Sequence, residues 1–420
     1  MKIRHLLFIV AALSVMPHMM AQQTTSPYSM YGYGLLGDRA TSMQRQMGGV
    51  GYAMSDGRQI NVMNPASYAR IDSLTFLWDM GADIAFTWRK EGAEKEKTIG
   101  GGLDYITMQF PLGKYMGGSV GLLPYSSVGY SFGNEIRHGA MSNQGSGGIN
   151  EVYVGVSGRY AGASLGVNVS YDFGNIQNDV YTSPSNYGNT LFEQIMQVRD
   201  WNIVIGAQYT VKLNPLNQLT LGVTYSPKKS MRGHTWATIQ ETTSQTAPDT
   251  VAYGSMKGKY YTPNSVGAGI SWKRERASRL TVEADFTWQQ WSKAPYSPLY
   301  SSADPDVMVF QGMKFNDRIK IAAGAEYVPR VRGSYLQRVA YRLGAWCSRD
   351  YLNIDGNSLR EYGLSCGFGL HTPQDKTMIN LGVEWRHRQG HPNPLVKEDY
   401  LSVTLGLNFN ELWFWQRKIR

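Results

Sequence analysis

Residues 74–89 read LTFLWDMGADIAFTWR, and their side chains alternate in character from one position to the next. The even positions carry Leu74, Phe76, Trp78, Met80, Ala82, Ile84, Phe86 and Trp88; the odd ones include Thr75, Asp79, Gly81, Asp83, Thr87 and Arg89. Successive side chains of a strand point to opposite faces, so the run has one apolar face and one acidic or small face. It is too long for an ordinary globular sheet. A tilted membrane strand with an extension beyond the lipid accounts for its length, with Trp78 and Trp88 placed for the interfacial aromatic belts.

The same period continues to the C-terminus. Outward-facing series run through Ile106-Met108-Phe110-Leu112, Val152-Val154-Val156, Leu165-Val167-Val169-Tyr171-Phe173 and Trp201-Ile203-Ile205-Ala207-Tyr209-Val211. They resume in Leu219 to Tyr225, Val266 to Trp272, Leu280 to Trp288 and Ile319 to Tyr327. The last are Leu343-Ala345-Cys347, Leu364 to Leu370, Ile379 to Trp385 and Leu401 to Phe409. With a strand over 116–131 and one through HTWATIQE, the pattern predicts about 14 strands, and single-chain bacterial barrels use an even number. Short connections (YAGAS, NPLNQ, KRERAS, TPQDK) alternate with long ones (GNEIRHGAMSNQGSGG, TSPSNYGNTLFEQ, KAPYSPLYSSADPDVMVFQG). Unlike ends of this kind suit a barrel between unlike compartments.

Composition agrees. Charged residues are 17%, while 27 Tyr, 11 Trp and 46 Gly are many for 420 residues. No run of about 18 apolar residues follows the N-terminus, so no membrane-spanning helix is expected. The net charge of +9 comes mostly from cations scattered through turns, with one cluster, QRKIR, at the end. A rim facing anionic outer-membrane lipid and lipopolysaccharide accounts for it, and no nucleic-acid partner is expected. Cys347 and Cys366 are too few for a disulfide framework; they fall on neighbouring strands with their side chains on one face, where a disulfide is geometrically possible. Two small residues on an apolar face is the preferred reading.

The N-terminus has the form of a secretory signal: Lys2, Arg4 and His5, then an apolar core from Leu6 to Met16, then Ala21 as the expected cleavage residue. Residues 1–21 are thus expected to be removed, although Met19 departs from the small residue usual at −3. Residues 22–73 lack sustained alternation, and 74–420 are expected to form the barrel. A barrel of some 14 strands is too wide for its own side chains to fill, so 22–73 is expected to be a hatch or plug in the lumen.

That segment contains GGVGYAMSDGRQINVMNPAS, residues 48–67. It is no dinucleotide loop: Gly49 and Gly51 fit the fingerprint, but Met54 stands at its third glycine. No Gly-Lys-Ser/Thr occurs either. In a plug the glycines permit tight turns and close approach to the wall. Gly48, Gly49, Gly51, Asn64, Pro65 and Ala66 are therefore the hatch or gate candidates. No cofactor or metal is expected: His387 and His391 sit in a Pro- and Gly-containing loop. No enzyme is expected, since G-x-S-x-G is absent. Lumen-facing charge candidates are Asp79, Asp83, Arg89, Glu283, Asp285, Lys320 and Glu326, with Asp104 and Glu384 beside them. Their expected role is to pair with inward cations and pin the plug.

Three stretches carry a family resemblance. MGGVGYAMSDG followed by NPAS looks like the hatch of FadL-like outer-membrane channels for long-chain fatty acids and other hydrophobic compounds. Residues 260–292 are similar to that family's Pro-x-Ser-hydrophobic-Gly strand and the acidic-aromatic strand after it; 314–329 resemble its Asp-containing strand with Gly-Ala-Glu-Tyr. The resemblance implies passive uptake of a hydrophobic ligand that leaves sideways through a gap in the wall beside a kinked strand. Pro124, in GGSVGLLPYSSVGY, is the candidate for the kink. PorV-like barrels of a secretion system share this architecture, so a non-transporting barrel that serves a secretion or assembly partner is the alternative.

Overall fold

The computed structural model describes residues 26–136, 139–184, 188–242, 249–256, 260–296, 313–372 and 377–412. The expected signal peptide, the QRKIR cluster, and most of TPQDK and of the 293–312 stretch lie outside the described residues.

The wall begins, after a two-residue inner strand Leu35–Leu36, with seven consecutive antiparallel strands: β1 (Thr75–Glu91), β2 (Glu94–Pro111), β3 (Met116–Ile136), β4 (Gly139–Tyr160), β5 (Ala163–Pro184), β6 (Asn189–Asn214) and β7 (Asn217–Ser226). A hairpin of β8 (Gly233–Thr242) and β9 (Asp249–Met256) follows. Then come β10 (Ser265–Glu275), β11 (Arg279–Gln289), β12 (Arg318–Val328), β13 (Ala340–Ile354), β14 (Asn357–His371), β15 (Thr377–His391) and β16 (Lys397–Leu412). β7 pairs with β10, and β16 pairs with β1 from Lys397 opposite Lys90 to Leu412 opposite Thr75. β1–β7 and β10–β16 therefore close into a 14-strand antiparallel barrel. Closure leaves no sheet edge in the lipid.

The alternation read from residues 74–89 sorts as expected. Leu77 and Asp79 are buried inside while Trp78, Ile84 and Trp88 are exposed outside. No described helix is long and apolar enough to cross a membrane.

Three expectations need correction. HTWATIQE belongs to β8, which stands outside the closed wall: it pairs with Asn189–Val198 of β6, whereas Ile205–Asn214 of β6 pair with β7. His387 and His391 lie in strand β15 rather than in a loop, and the stretches 133–148 and 182–194 are likewise largely strand, because β3, β4, β5 and β6 run 21 to 26 residues. At about 3.3 Å per residue they rise well past the lipid. Beyond the bilayer neither face requires apolar side chains, so no alternation marks them. The cysteines are both free and exposed. Cys366 stands opposite Leu343 and Cys347 opposite Tyr362, which puts the thiols four residues out of register.

Candidate functional site

Residues 26–72 are packed against the inner wall. At the end where the short turns 161–162 and 215–216 and both ends of the wall lie, the inward positions of many strands are glycine. Gly206 faces Gly166, Gly324 faces Gly344, Gly367 faces Gly382, Gly406 faces Gly81 and Gly269 faces Gly222. A Cβ on Gly166 would strike Pro65, on Gly206 Asn64, on Gly222 Tyr52 O, on Gly344 the Gly48 N and on Gly406 Ser42. This belt seats residues 42–69 against the wall backbone.

Side chains complete the seat. Ala53 N–H donates to Glu283 Oε1 at 3.0 Å, and Gly51 and Tyr52 N–H donate to Asp285 Oδ2 at 2.6 and 3.0 Å. These two carboxylates thus meet backbone donors rather than the cations expected for them. Asn64 donates to Tyr52 O at 2.7 Å and accepts from Ala66 N–H at 3.1 Å, which caps the short helical turn that Pro65 opens. Gly48 and Gly49 take φ of +76° and +78°, the turn that follows residues 42–45, and Gly48 N–H donates to Ser365 at 3.0 Å.

The other charge candidates form ion pairs or polar contacts. Glu326 accepts from Arg342 Nε at 2.8 Å and Arg279 at 3.1 Å, and Arg342 also donates to Gln46 at 2.9 Å. Asp79 accepts from Tyr105 OH at 2.9 Å and Asn408 at 3.2 Å. Arg45 lies 3.1 Å from Asp104 and 4.0 Å from Asp83. Arg89 pairs with Glu96 at 3.0 Å and donates to Thr98 at 2.8 Å. Lys320 and Arg318 approach Asp38 at 2.5 and 3.1 Å. Burial opposes ionisation of Asp38, but the two cations outweigh it and hold its carboxyl well below the usual carboxylate range.

At the opposite end the lumen is filled by an aromatic cluster that the alternation did not reveal. Tyr33 is its centre, with ring centroids 5.0 Å from Tyr296, 5.6 Å from Trp291 and 6.1 Å from Phe315. Tyr351 OH donates to Gly34 O at 2.6 Å. The contributors come from connections as well as strands, where no period applies.

Between the two layers the wall changes partners. The β2–β3 ladder holds six residue pairs, from Ile106 opposite Leu122 to Pro111 opposite Gly117. Directly beyond it, between Pro124 and Ser126, the β3–β4 register shifts. Further along β3, Leu35 and Leu36 pair from inside the barrel with Ser127 and Ser126, and Gly37 N–H donates to Tyr125 O at 2.9 Å. A cavity of about 140 Å³ adjoins this parting, lined by Gly100 and Asp104 of β2 and by Pro124 and Ser126 of β3. A second cavity of about 110 Å³ lies beside Asp38, Tyr125 and Lys320. Among the described residues no group of three or more His, Cys, Asp or Glu is arranged to hold a metal ion.

Solved structures share this fold. The toluene transporter TodX of Pseudomonas putida superposes with a TM-score of 0.60 at 13% identity, over 90% of this chain and 100% of that one. A FadL homologue of Pseudomonas aeruginosa gives 0.59 at 11%, over 90% and 99%. The toluene transporter TbuX of Ralstonia pickettii gives 0.52 at 14%, over 89% and 98%. The FadL-like resemblance read from the sequence therefore holds for the fold. No curated protein matches the chain. The BamG family model matches residues 2–420, and the chain belongs to the BamG family.

Proposed function

We propose that this barrel is an outer-membrane channel for passive movement of hydrophobic small molecules, long-chain compounds among them, sideways into the bilayer. The observation that carries the reading is the short β2–β3 ladder beside Pro124, with a cavity on its inner side. A ligand enters past the aromatic cluster, reaches the cavity and leaves between β2 and β3. Pro124 serves as the kink. Residues 22–73 serve as the hatch, delivered after removal of a signal peptide, and the apolar outer face meets outer-membrane lipid and lipopolysaccharide. Gly48, Gly49, Gly51, Asn64, Pro65 and Ala66 act in the hatch as its seat, which supports lateral exit rather than passage past the glycine belt.

The test is uptake of a fluorescent hydrophobic compound by proteoliposomes containing the barrel. Gly100→Trp, which fills the parting, abolishes uptake, whereas Gly254→Trp on the open β8–β9 hairpin preserves it. Equal uptake by both, with both barrels folded by gel heat-modifiability, sinks the reading.

The glycine belt favours a second reading, a barrel that transports nothing and serves a secretion or assembly partner. No uptake of any hydrophobic compound, together with a stable stoichiometric partner after mild solubilisation, selects it.

A further inference from the structure

The outward side chains of the wall are mostly apolar, and on two strands the series closes on an aromatic ring with a cation two residues beyond it. On β1 Trp88 is followed by Lys90; on β14, counted towards the same end of the barrel, Tyr362 is followed by Arg360. Aromatic girdles mark the edges of the apolar band, so these cations stand at the height of lipid head groups. The ladders set like charges directly opposite one another there. Lys90 has Lys95 on one side and Lys397 on the other, and Arg360 of β14 faces Arg349 of β13. All five are exposed, and among the described residues none of them forms an ion pair or a side-chain hydrogen bond. The carboxylates adjacent to the arginines, Asp350 and Glu361, point inward to the cavity at the parting. Like charges opposite each other weaken a ladder, so the arginine pair calls for an anion from outside the chain.

Below the pair, on the same outer face, the wall has a hollow of about 630 Å³ whose lining includes Ala323, Ala345, Leu364 and Val383. Ala323 and Ala345 face each other, and their short side chains leave room between the longer Leu364 and Val282 on either side. Arg349 is four residues from Ala345 along β13, and Arg360 four from Leu364 along β14. Four residues of strand are about 13 Å, so the hollow opens beneath the cations within the apolar band.

We infer that Arg349 and Arg360 clasp a phosphate of an outer-leaflet lipopolysaccharide, one of whose acyl chains lies in the hollow. Guanidinium groups present forks of donors that match phosphate oxygens in pairs, and the phosphate offsets the repulsion between the two arginines. The pair lies at the end from which β3–β6 rise beyond the bilayer, opposite the short turns. That is the outer end of a bacterial barrel, where the leaflet is built of phosphorylated glycolipid. A second copy on this face is disfavoured, because a two-fold axis along the membrane normal brings its arginines to the same height as these. The inference rests on the outer-membrane placement proposed above and not on transport.

The test is native mass spectrometry of the full barrel in mild detergent, titrated with lipid A, with lipid A stripped of its phosphates and with phosphatidylglycerol. Lipid A is expected to bind at least tenfold more tightly than the stripped form. Arg349→Gln combined with Arg360→Gln removes that difference, while Arg199→Gln, an exposed cation on β6, leaves it intact. Ala345→Leu, which fills the hollow, weakens both forms several-fold. Without lipid the double arginine variant is at least as heat-resistant as the native barrel, since the repulsion is gone; lipid A protects the native barrel more than the variant. Equal binding of the stripped form overturns the inference, as does lipid A affinity unmoved by the arginine variant. Phosphatidylglycerol that displaces lipid A at equal concentration overturns the assignment to lipopolysaccharide, and a dimer abolished by Ala345→Leu gives the hollow to a second copy instead. Uptake by the arginine variant in proteoliposomes reports the channel reading separately, because neither residue lines the cavity at the parting.

Discussion

Gly324 of β12 and Gly344 of β13 stand opposite each other, and a Cβ on either would occupy space held by the Met47–Gly48 backbone. The pair shows how the wall and the N-terminal segment are fitted: the strands give up inward side chains where the segment passes. Overpacking a site of this kind costs about 1–3 kcal/mol. Gly344→Val is expected to lower the free energy of unfolding in detergent micelles by an amount in that range. It should also make residues 42–69 accessible to protease. Gly254→Val, with open space around it, is the control.

The Arg342 guanidinium is fully buried between Glu326, Gln46 and Asn380. Breaking a buried ion pair by removing one partner costs about 3–5 kcal/mol, because the other charge is left behind. Arg342→Met is therefore expected to be severely destabilising. Arg279 still contacts Glu326 at 3.1 Å, so Glu326→Gln combined with Arg342→Met should recover only part of the loss. Equilibrium unfolding of the two single variants and the double variant measures this coupling; additivity would show that the pair does not act as a unit.

These contacts also mark how far the sequence could be read. Alternation at 74–89 was legible because lipid and lumen impose opposite demands on the two faces of one strand. The same alternation shows Gly81, Gly166, Gly206, Gly222, Gly344 and Gly406 at inward positions, yet their shared level depends on strand register, which single strands do not carry. Asp285 and Glu283 were recognisable as inward carboxylates. That they receive the amides of Gly51, Tyr52 and Ala53 depends on contacts more than 200 residues apart in sequence. Pro124 was visible as a break in pairing. That Leu35 and Leu36 take up part of the β3 edge was not, since a two-residue strand has no period.

Asp38 lies in the N-terminal segment, outside the spanning strands, and its folded carboxyl is held below its ordinary value of 3.8. A group depressed in the folded state contributes stability above its unfolded value, and that contribution is lost as pH falls through the folded value. The difference in stability between the native chain and Asp38→Asn is thus expected to be constant from neutral pH down to about 4. Below that it should shrink as acid protonates the unfolded chain's carboxyl and then the folded one. Urea midpoints of both proteins between pH 7 and pH 3 measure it; a gap that widens on acidification contradicts the assignment.

Gly34 has φ +82°, and a Cβ there would collide with Ser127 O and Val128. Gly34→Ala therefore adds the left-handed backbone penalty, about 1 kcal/mol, to a direct clash. Both act on the same short ladder, because Leu35 and Leu36 are the next residues to pair with β3. The barrel itself is closed by other strands and should remain folded. Amide exchange at Leu35 and Leu36 is expected to accelerate at least tenfold, while exchange in the β12–β13 ladder stays unchanged. If this inner strand restrains the parting, passage of a hydrophobic compound through proteoliposomes rises several-fold in the same variant. Faster exchange with unchanged passage would place the limiting step elsewhere, most directly at the aromatic cluster around Tyr33, and Tyr33→Ala would then be the variant that raises the rate.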